Sequence, residues 1–194
     1  MEEELDAIFS SFVFTLLAIK GLKPVADKVG LLDVPNHRKQ HKGAVPLIGG
    51  LSIFLGVAVS ALLFMALDSQ QKVLLAASLV IVVMGVFDDF YDLSVRLRLG
   101  IQAICTLILC FSLHVSLAHL GYMLGFFSLN IGVAGYVLAI FAVIGGINAY
   151  NMMDGIDGLA GSMALVSLSA LIILFAAAGA TGYMNWALIF AVAI

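Results

Sequence analysis

The chain has 194 residues, of which 63% are hydrophobic and only 11% are charged. About a quarter of the residues in a soluble globular domain are charged, so this composition excludes an ordinary water-soluble protein and predicts one that lies in a lipid bilayer. The formal net charge of -3 says less about the class of protein, because in a membrane protein the distribution of Lys and Arg along the chain matters more than their sum.

Long apolar runs predict an all-α fold. About 20 apolar residues cross a bilayer as a helix, because backbone groups in lipid must be bonded within the segment. About six runs meet this requirement, and a seventh begins near Trp186 and stops at Ile194, too short to span. We therefore expect a polytopic transmembrane helical bundle that forms one membrane domain over 1–194, the N-terminal part of a longer protein. The predicted spans are 5–25, 47–67, 73–87, 99–120, 126–149 and 159–178.

The basic residues indicate which loops face the cytoplasm. Alternating spans put the loops 20–46, 88–98 and 150–158 on one side, and that side holds eight of the nine Lys and Arg residues, with Lys72 alone on the other. By the positive-inside rule these three loops are cytoplasmic and the N-terminus is outside. All the candidate chemistry then lies on one face of the membrane.

Two pairs of side chains are given no chemical role. Cys105 and Cys110 lie five apart in an apolar run, a spacing that matches no metal or redox motif, and we predict that both are core residues. His114 and His119 fall toward the external side, where we predict interface or packing positions.

The first candidate site is the acidic segment at the end of the third span. Asp88, Asp89 and Asp92 place three carboxylates in five residues, although acids at a helix C-terminus are disfavoured by up to about 1 kcal/mol each. Arg96 and Arg98 compensate in part, and Mg2+ would compensate further, since it binds one or two carboxylates and takes other ligands from water and phosphates. An ordinary hydrated acidic loop is the alternative interpretation.

The second candidate site spaces four polar residues at intervals of three. Asn148, Asn151, Asp154 and Asp157 would form one stripe if the helix continues through them. Amides at the end of an apolar span normally face a polar cavity or partner, because they cost free energy when unpaired. A cap on the helix that follows is the alternative role for Asp157.

A basic loop between the first two spans is the third candidate site. Its side chains either attract anionic lipid headgroups without specificity, at about 1 kcal/mol each, or hold one phosphate or diphosphate. The residues alone leave both interpretations open. The side chains concerned are Arg38, Lys39, His41 and Lys42.

Three motifs thus stand at the predicted helix ends, PNHRKQHKG at 35–43 leading to Pro46 and Gly49-Gly50, DDFYD at 88–92 and NMMDGIDGL at 151–159. Together they resemble the polyprenyl-phosphate N-acetylhexosamine-1-phosphate transferases of glycosyltransferase family 4. The first and third motifs are most similar to the undecaprenyl-phosphate GlcNAc-1-phosphate transferase branch. The combination is specific, although Asp-Asp-x-x-Asp alone is a weak signal.

The resemblance implies a multi-pass enzyme of the bacterial inner membrane with a cytoplasmic active site. It would transfer GlcNAc-1-phosphate from UDP-GlcNAc to undecaprenyl phosphate and release UMP, with Mg2+ or Mn2+ as cofactor. This reaction is the first membrane step of a cell-envelope polysaccharide such as the O-antigen of lipopolysaccharide. Membrane lipids are expected partners and nucleic acid is not, while a homo-oligomer is left open. The family continues with further helices, a later metal-ligating acid and a His-rich loop, so the activity of this chain alone is also left open.

The resemblance also assigns roles to residues. Asp88 and Asp89 are expected to bind the metal or the lipid phosphate, and Asp154 and Asp157 complete the catalytic set beside the nucleotide-sugar diphosphate. Direct attack by the lipid phosphate is favoured over attack by an acid. The expected substrate-binding residues are Asn36, Arg38, Lys39, His41, Lys42, Asn148 and Asn151.

Two other functions are weighed against this one. An intramembrane prenyltransferase would use Asp-Asp-x-x-Asp to hold a prenyl diphosphate through Mg2+, and a requirement for a nucleotide sugar would separate the two enzymes. A transporter would place its acids near the bilayer midplane in broken helices, whereas the acids here lie at the ends of the spans.

Overall fold

The computed structural model describes residues 2–33, 44–123, 127–153 and 158–194. Within these ranges the chain forms seven α-helices and two short pairs of antiparallel strands, which confirms the predicted all-α class. The chain divides into two compact units, Met1–Leu67 with Met153–Ile194, and Asp68–Met152. The expectation of one membrane domain over 1–194 stays a prediction.

The secondary-structure elements follow one another with short connections. In chain order they are α1 (Glu2–Val29), β1 (Leu32–Asp33), β2 (Val45–Pro46), α2 (Gly49–Phe64), α3 (Ser69–Tyr91), α4 (Val95–Ser112), β3 (His119–Met123), β4 (Phe127–Asn130), α5 (Ala134–Met153), α6 (Leu159–Ala177) and α7 (Thr181–Ala193).

In the part of the chain that the structure describes, five helices are long and apolar enough to cross a membrane, namely Glu4–Val29 of α1 together with α3, α4, α5 and α6. The chain is therefore a multi-pass membrane protein. The second predicted span is shorter than expected, because α2 has 16 residues, and the seventh apolar run forms α7, with 13. Helix α1 continues past Pro24 to Val29, so Lys20, Lys23 and Lys28 lie on a helix rather than in the loop assigned to them.

The region between α4 and α5 differs most from the predicted spans. Residues expected to end the fourth span and begin the fifth form the hairpin of β3 and β4 instead. Gly121 in β3 and Gly132 before α5 have φ angles of +70° and +53°, which favour glycine and do not occur within an α-helix. The Asn130 side chain accepts a hydrogen bond from the Gly132 N–H at 2.9 Å, a turn interaction that competes with helix formation.

In the first unit, α1 packs closely against α2 and α7. A Cβ added at Gly56 of α2 would overlap the Thr15 hydroxyl and lie 2.8 Å from the Ser11 carbonyl oxygen. The Ser10 and Ser60 hydroxyls are 2.6 Å apart, and the Ser11 hydroxyl donates to the carbonyl of Ile189 in α7 at 3.2 Å. Small residues that permit close backbone approach, with hydroxyls that bond across helices, are typical of helix packing in membranes.

The strands β1 and β2 close the base of the basic loop. Leu32 pairs with Pro46 and Asp33 pairs with Val45. The Leu47 N–H also donates to the Leu31 carbonyl at 3.1 Å. The two ends of the segment 34–43 are therefore held together at the start of α2.

In the second unit, α4 contacts both α3 and α5. Helices α3 and α4 form a hairpin through the short turn Asp92 to Ser94. Near the other end of α4, the Phe111 ring stacks on Tyr136 of α5 with centroids 5.1 Å apart. A Cβ added at Gly135 would lie 2.5 Å from the Ala118 backbone nitrogen. The start of α5 is thus fixed beside the end of α4.

Replacing Gly56 by Ala is expected to destabilise the first unit. The added methyl group must displace Thr15 or separate α1 from α2, and such overpacking costs about 1–3 kcal/mol. Thermal unfolding in detergent micelles measures the change. Gly21→Ala is the matched control, because a Cβ at Gly21 of α1 meets nothing within 4 Å and alanine favours a helix interior. Equal unfolding midpoints for the two variants would contradict the close packing of α1 and α2.

Candidate active site

The candidate site centres on an ion pair between α3 and α4. The Arg98 guanidinium donates through Nη1 to Oδ2 of Asp88 at 2.6 Å. The other oxygen, Oδ1, accepts the Leu93 backbone N–H at 3.0 Å. Both side chains are mostly covered, at 25% exposure for Arg98 and 21% for Asp88. The Asp88 carboxylate is therefore held at two points.

The turn between the helices explains this geometry. Asp92 ends α3 in the left-handed conformation at φ 49°, and its N–H donates to the Asp88 carbonyl at 2.8 Å. Asp tolerates this conformation better than most residues. Ser94 then caps α4, with its hydroxyl accepting from the Leu97 N–H. The reversal brings the Asp88 side chain from the end of one helix to the beginning of the next.

The electrostatics of Asp88 follow from this position. A carboxylate in the last turn of α3 meets the negative end of that helix, whereas the beginning of α4 presents partial positive charge. Arg98 adds a full positive charge at 2.6 Å. The expectation that Arg98 compensates the acidic segment is confirmed for Asp88. Because both groups are part-exposed, the pair contributes roughly 0–1 kcal/mol to stability, so its main effect is to orient the guanidinium.

The neighbouring acids offer further oxygen atoms at the same helix end. Asp89 follows Asp88 on the last turn of α3 and is exposed, as is Asp92. Among the residues that the structure describes, no group of three His, Cys, Asp or Glu side chains is arranged to hold a metal. Mg2+ needs only one or two protein carboxylates and prefers oxygen ligands. Each Asp88 oxygen already accepts one hydrogen bond, and because a carboxylate has about four lone-pair sites it keeps acceptor capacity for such an ion. A metal site at Asp88 and Asp89 stays a prediction.

A pair of amides extends the polar surface to α5. Asn148 donates through Nδ2 to Oε1 of Gln102 at 3.4 Å and to the Ile144 carbonyl at 2.8 Å. Gln102 is buried at 3% exposure. It lies four residues after Arg98, so both side chains share one face of α4. Arg98 of the ion pair and Gln102 of the amide pair lie on consecutive turns of α4, where they form a single polar strip.

Sequence reasoning missed Gln102. Its signal was an amide inside an apolar span, and a polar side chain in that position is normally paired or functional. Its spacing of four from Arg98 was a second signal, because residues so spaced are neighbours on a helix. Cys105 and Cys110 of the same helix are both buried, which confirms their assignment to the core.

The other predicted site residues are only partly described. Asn151 lies on α5 one turn beyond Asn148 and is exposed. Gly158, with φ +74°, occupies the N-cap of α6 and makes no side-chain cap hydrogen bond, so the N-cap position considered for Asp157 is held by glycine. The site residues that lie outside the described ranges are Asn36, Arg38, Lys39, His41, Lys42, Asp154 and Asp157.

The fold and the site define an α-helical, multi-pass membrane protein with an arginine-bound carboxylate where two spans meet. The sequence model of glycosyl transferase family 4 matches residues 72–194, a range that includes the ion pair and the amide pair. The chain belongs to glycosyl transferase family 4. This result confirms the resemblance drawn from the three motifs.

Similar curated proteins are named undecaprenyl-phosphate alpha-N-acetylglucosaminyl 1-phosphate transferase. The protein from Salmonella typhimurium is 37% identical over 94% of this chain and 50% of its own length. The one from Escherichia coli K12 is 37% identical over 92% of this chain and 49% of its own length. The one from Haemophilus influenzae is 38% identical over 97% of this chain and 53% of its own length. The chain spans about half the length of these relatives.

Exchanging the two amides is expected to preserve their contact. Gln102→Asn and Asn148→Gln should each lower the free energy of unfolding by about 0.6–1.7 kcal/mol, because each single change alters the combined length of the two side chains. The double variant keeps that length and should recover most of the loss. Thermal unfolding in detergent measures all three.

The control for this exchange is Thr106→Val on the same helix. Thr106 is also buried, but its hydroxyl donates within α4 to the Gln102 carbonyl at 2.7 Å. Its replacement should therefore show no coupling to changes at Asn148. Strictly additive effects of the two amide changes would argue against a direct contact.

Proposed function

We propose that this chain forms a membrane-embedded site for transfer of GlcNAc-1-phosphate from UDP-GlcNAc to undecaprenyl phosphate. The observation that carries the proposal is 37–38% identity to transferases of that name over 92–97% of the chain. The ion pair at Asp88 and Arg98 supports it, because it places anion-binding and oxygen-donor groups together where a span ends. The proposed location is the bacterial inner membrane, with this site on the cytoplasmic face.

The proposed reaction joins two anions. An oxygen of the lipid phosphate attacks the β-phosphorus of UDP-GlcNAc and forms the new diphosphate bond. The bond from that phosphorus to the bridging oxygen breaks, and UMP leaves with the electron pair. Catalysis of such a transfer consists largely of positioning the groups and neutralising their charge.

The described residues supply part of the positioning and part of the charge neutralisation. A guanidinium carries five N–H donors in a planar fork that matches phosphate oxygens. Asp88 orients the Arg98 guanidinium through their 2.6 Å contact. Asp88 and Asp89 would hold Mg2+ or Mn2+, which when bound neutralises phosphate charge. Asn148 and Asn151 are proposed to contact the nucleotide sugar, since both lie on the α5 face that begins beside Gln102.

The remaining assignments depend on sequence position. Asp154 and Asp157 are proposed to line the diphosphate site, because they follow directly on α5. The basic loop is proposed to bind phosphate groups close to the strand pair that joins its ends. Its contributing side chains are Asn36, Arg38, Lys39, His41 and Lys42.

The direct test is incorporation of labelled GlcNAc-phosphate from UDP-GlcNAc into extractable lipid. Membranes from cells that lack the endogenous enzyme would carry this chain alone, or this chain joined to the remaining segment of a relative. Metal-dependent product in either membrane supports the proposal. Absence of product in both, with each protein inserted and folded, contradicts it. Transfer from a prenyl diphosphate instead would favour a prenyltransferase.

Asp89→Asn in the active form is expected to lower kcat by about 100-fold or more, the usual cost of losing a group that stabilises transition-state charge. The amide keeps the shape of the side chain and removes its negative charge. The matched control is Asp68→Asn at the opposite end of α3. Asp68 caps that helix by accepting the Gln71 N–H at 2.7 Å, and Asn caps equally well. Undiminished turnover of Asp89→Asn would remove this residue from the proposed site.

A further inference from the structure

The side-chain amide of Asn148 has both of its N–H donors engaged within the second unit. An asparagine amide carries two donors on Nδ2 and one carbonyl oxygen, Oδ1, which only accepts. Nδ2 of Asn148 donates to the Ile144 carbonyl at 2.8 Å and to Oε1 of Gln102 at 3.4 Å. The two donors therefore have two acceptors, and Oδ1 is the part of the amide that is left for a ligand.

The same two contacts determine which way the amide faces. A backbone carbonyl can only accept a hydrogen bond, so turning the amide over would set Oδ1 against the Ile144 oxygen in place of Nδ2. Gln102 supplies a second acceptor from another helix, and at 3% exposure its side chain has little room to move away. Ile144 thus holds the Asn148 amide from α5 itself, and Gln102 holds it from α4.

The remaining atom, Oδ1, is accessible. In the described ranges, the buried side-chain polar atoms that lack a partner belong to Thr15, Ser52 and Trp186, so Oδ1 of Asn148 is not enclosed without one. Asn148 is half-buried, and Asn151, one turn further along α5, is exposed. An oxygen with acceptor capacity therefore lies at the surface of α5, close to the end of that helix.

An oxygen that only accepts selects for ligand groups that donate. The terminal oxygens of an ionised phosphate are themselves acceptors, so Oδ1 repels them. The base, the ribose and the hexosamine of a nucleotide sugar all carry O–H or N–H groups that can donate. A polar group positioned for such a donor discriminates against an analogue that lacks it, because the protein acceptor is then left unpaired.

We propose that Gln102 is a positioning residue that presents Oδ1 of Asn148 to an uncharged O–H or N–H group of the nucleotide sugar. This inference rests on the proposed function and adds to it the chemistry that Asn148 recognises. The diphosphate is then bound elsewhere in the site, by groups that donate or carry positive charge. Asn148 contributes affinity and selectivity for the sugar donor, and Gln102 contributes through Asn148.

Binding of UDP-GlcNAc analogues that each lack one donor tests the contact. Deoxygenation removes single hydroxyls, and N-methylation removes the N–H of the uracil or of the acetamido group. In titration calorimetry, one analogue should bind the unaltered protein about tenfold more weakly than UDP-GlcNAc, the cost of one lost hydrogen bond. Asn148→Leu, which has a similar size and no amide oxygen, should bind that analogue and UDP-GlcNAc equally well. Absence of this coupling for every analogue would overturn the proposal.

Kinetics of the active form test the role of Gln102. Gln102→Leu should raise the KM for UDP-GlcNAc about fivefold, with little change in kcat or in the KM for undecaprenyl phosphate, because the Asn148 amide keeps only its bond to Ile144. Gln102→Glu has the same length and keeps an oxygen toward Asn148, so it should recover most of the loss.

The matched control for Gln102 is Thr106→Val. It removes a buried hydroxyl that bonds within α4, so it should lower the unfolding temperature and raise neither KM. Equal changes in the two KM values of Gln102→Leu would make the contact with Asn148 purely structural and overturn the positioning role.

Further outcomes separate this inference from the proposed function. Donor coupling at Asn148 in a folded protein that transfers no sugar phosphate would keep the contact and reject the transfer reaction. Transfer without donor coupling would do the reverse. If Asn148→Leu instead raised the Mg2+ concentration needed for half-maximal activity at unchanged affinity for UDP-GlcNAc, the inference would also fail, because the amide oxygen would then be a metal ligand.

Discussion

The geometry of the α3–α4 junction depends on how one carboxylate is neutralised where the two spans meet. Asp88 lies where the dipole of α3 disfavours an acid, and the chain compensates by reversing direction and presenting the beginning of α4 with Arg98. Without a partner, an acid this close to hydrocarbon would draw water toward the ends of both helices. The same contact fixes the direction of a guanidinium, and this is its main effect, because a part-exposed pair adds only roughly 0–1 kcal/mol to stability.

From Arg98 the polar strip continues toward the bilayer interior. Gln102 is buried on the next turn and contacts Asn148 of α5. In hydrocarbon, apolar side chains distinguish poorly between neighbouring helices, because lipid tails are just as apolar. A part-buried amide pair supplies the missing specificity by favouring one register of α4 on α5. That register places Asn148 of α5 against Gln102, one turn of α4 beyond Arg98.

Local properties of the sequence predicted much of this arrangement. Hydropathy predicted the helical class and most spans, and the clustering of Asp88 with Arg98 indicated their compensation. The hairpin of β3 and β4 escaped prediction because its residues are apolar, and hydropathy does not separate a short apolar strand from the end of a helix. The Gln102–Asn148 contact joins residues 46 apart, and a local pattern carries no information about such pairing. The roles of Asp154, Asp157 and the basic loop stay predictions.

The strand pair beneath the basic loop has a consequence for how far that loop can act. With Asp33 and Val45 held opposite each other, each intervening residue is tethered from both sides. About half of the loop, at roughly 3.5 Å per residue, gives a radius of about 20 Å. The basic side chains of this segment therefore stay within a small volume around the start of α2, at an effective concentration of at least the millimolar range that such short tethers produce. A two-residue ladder thus limits how far the cationic segment between its strands can reach from one helix end.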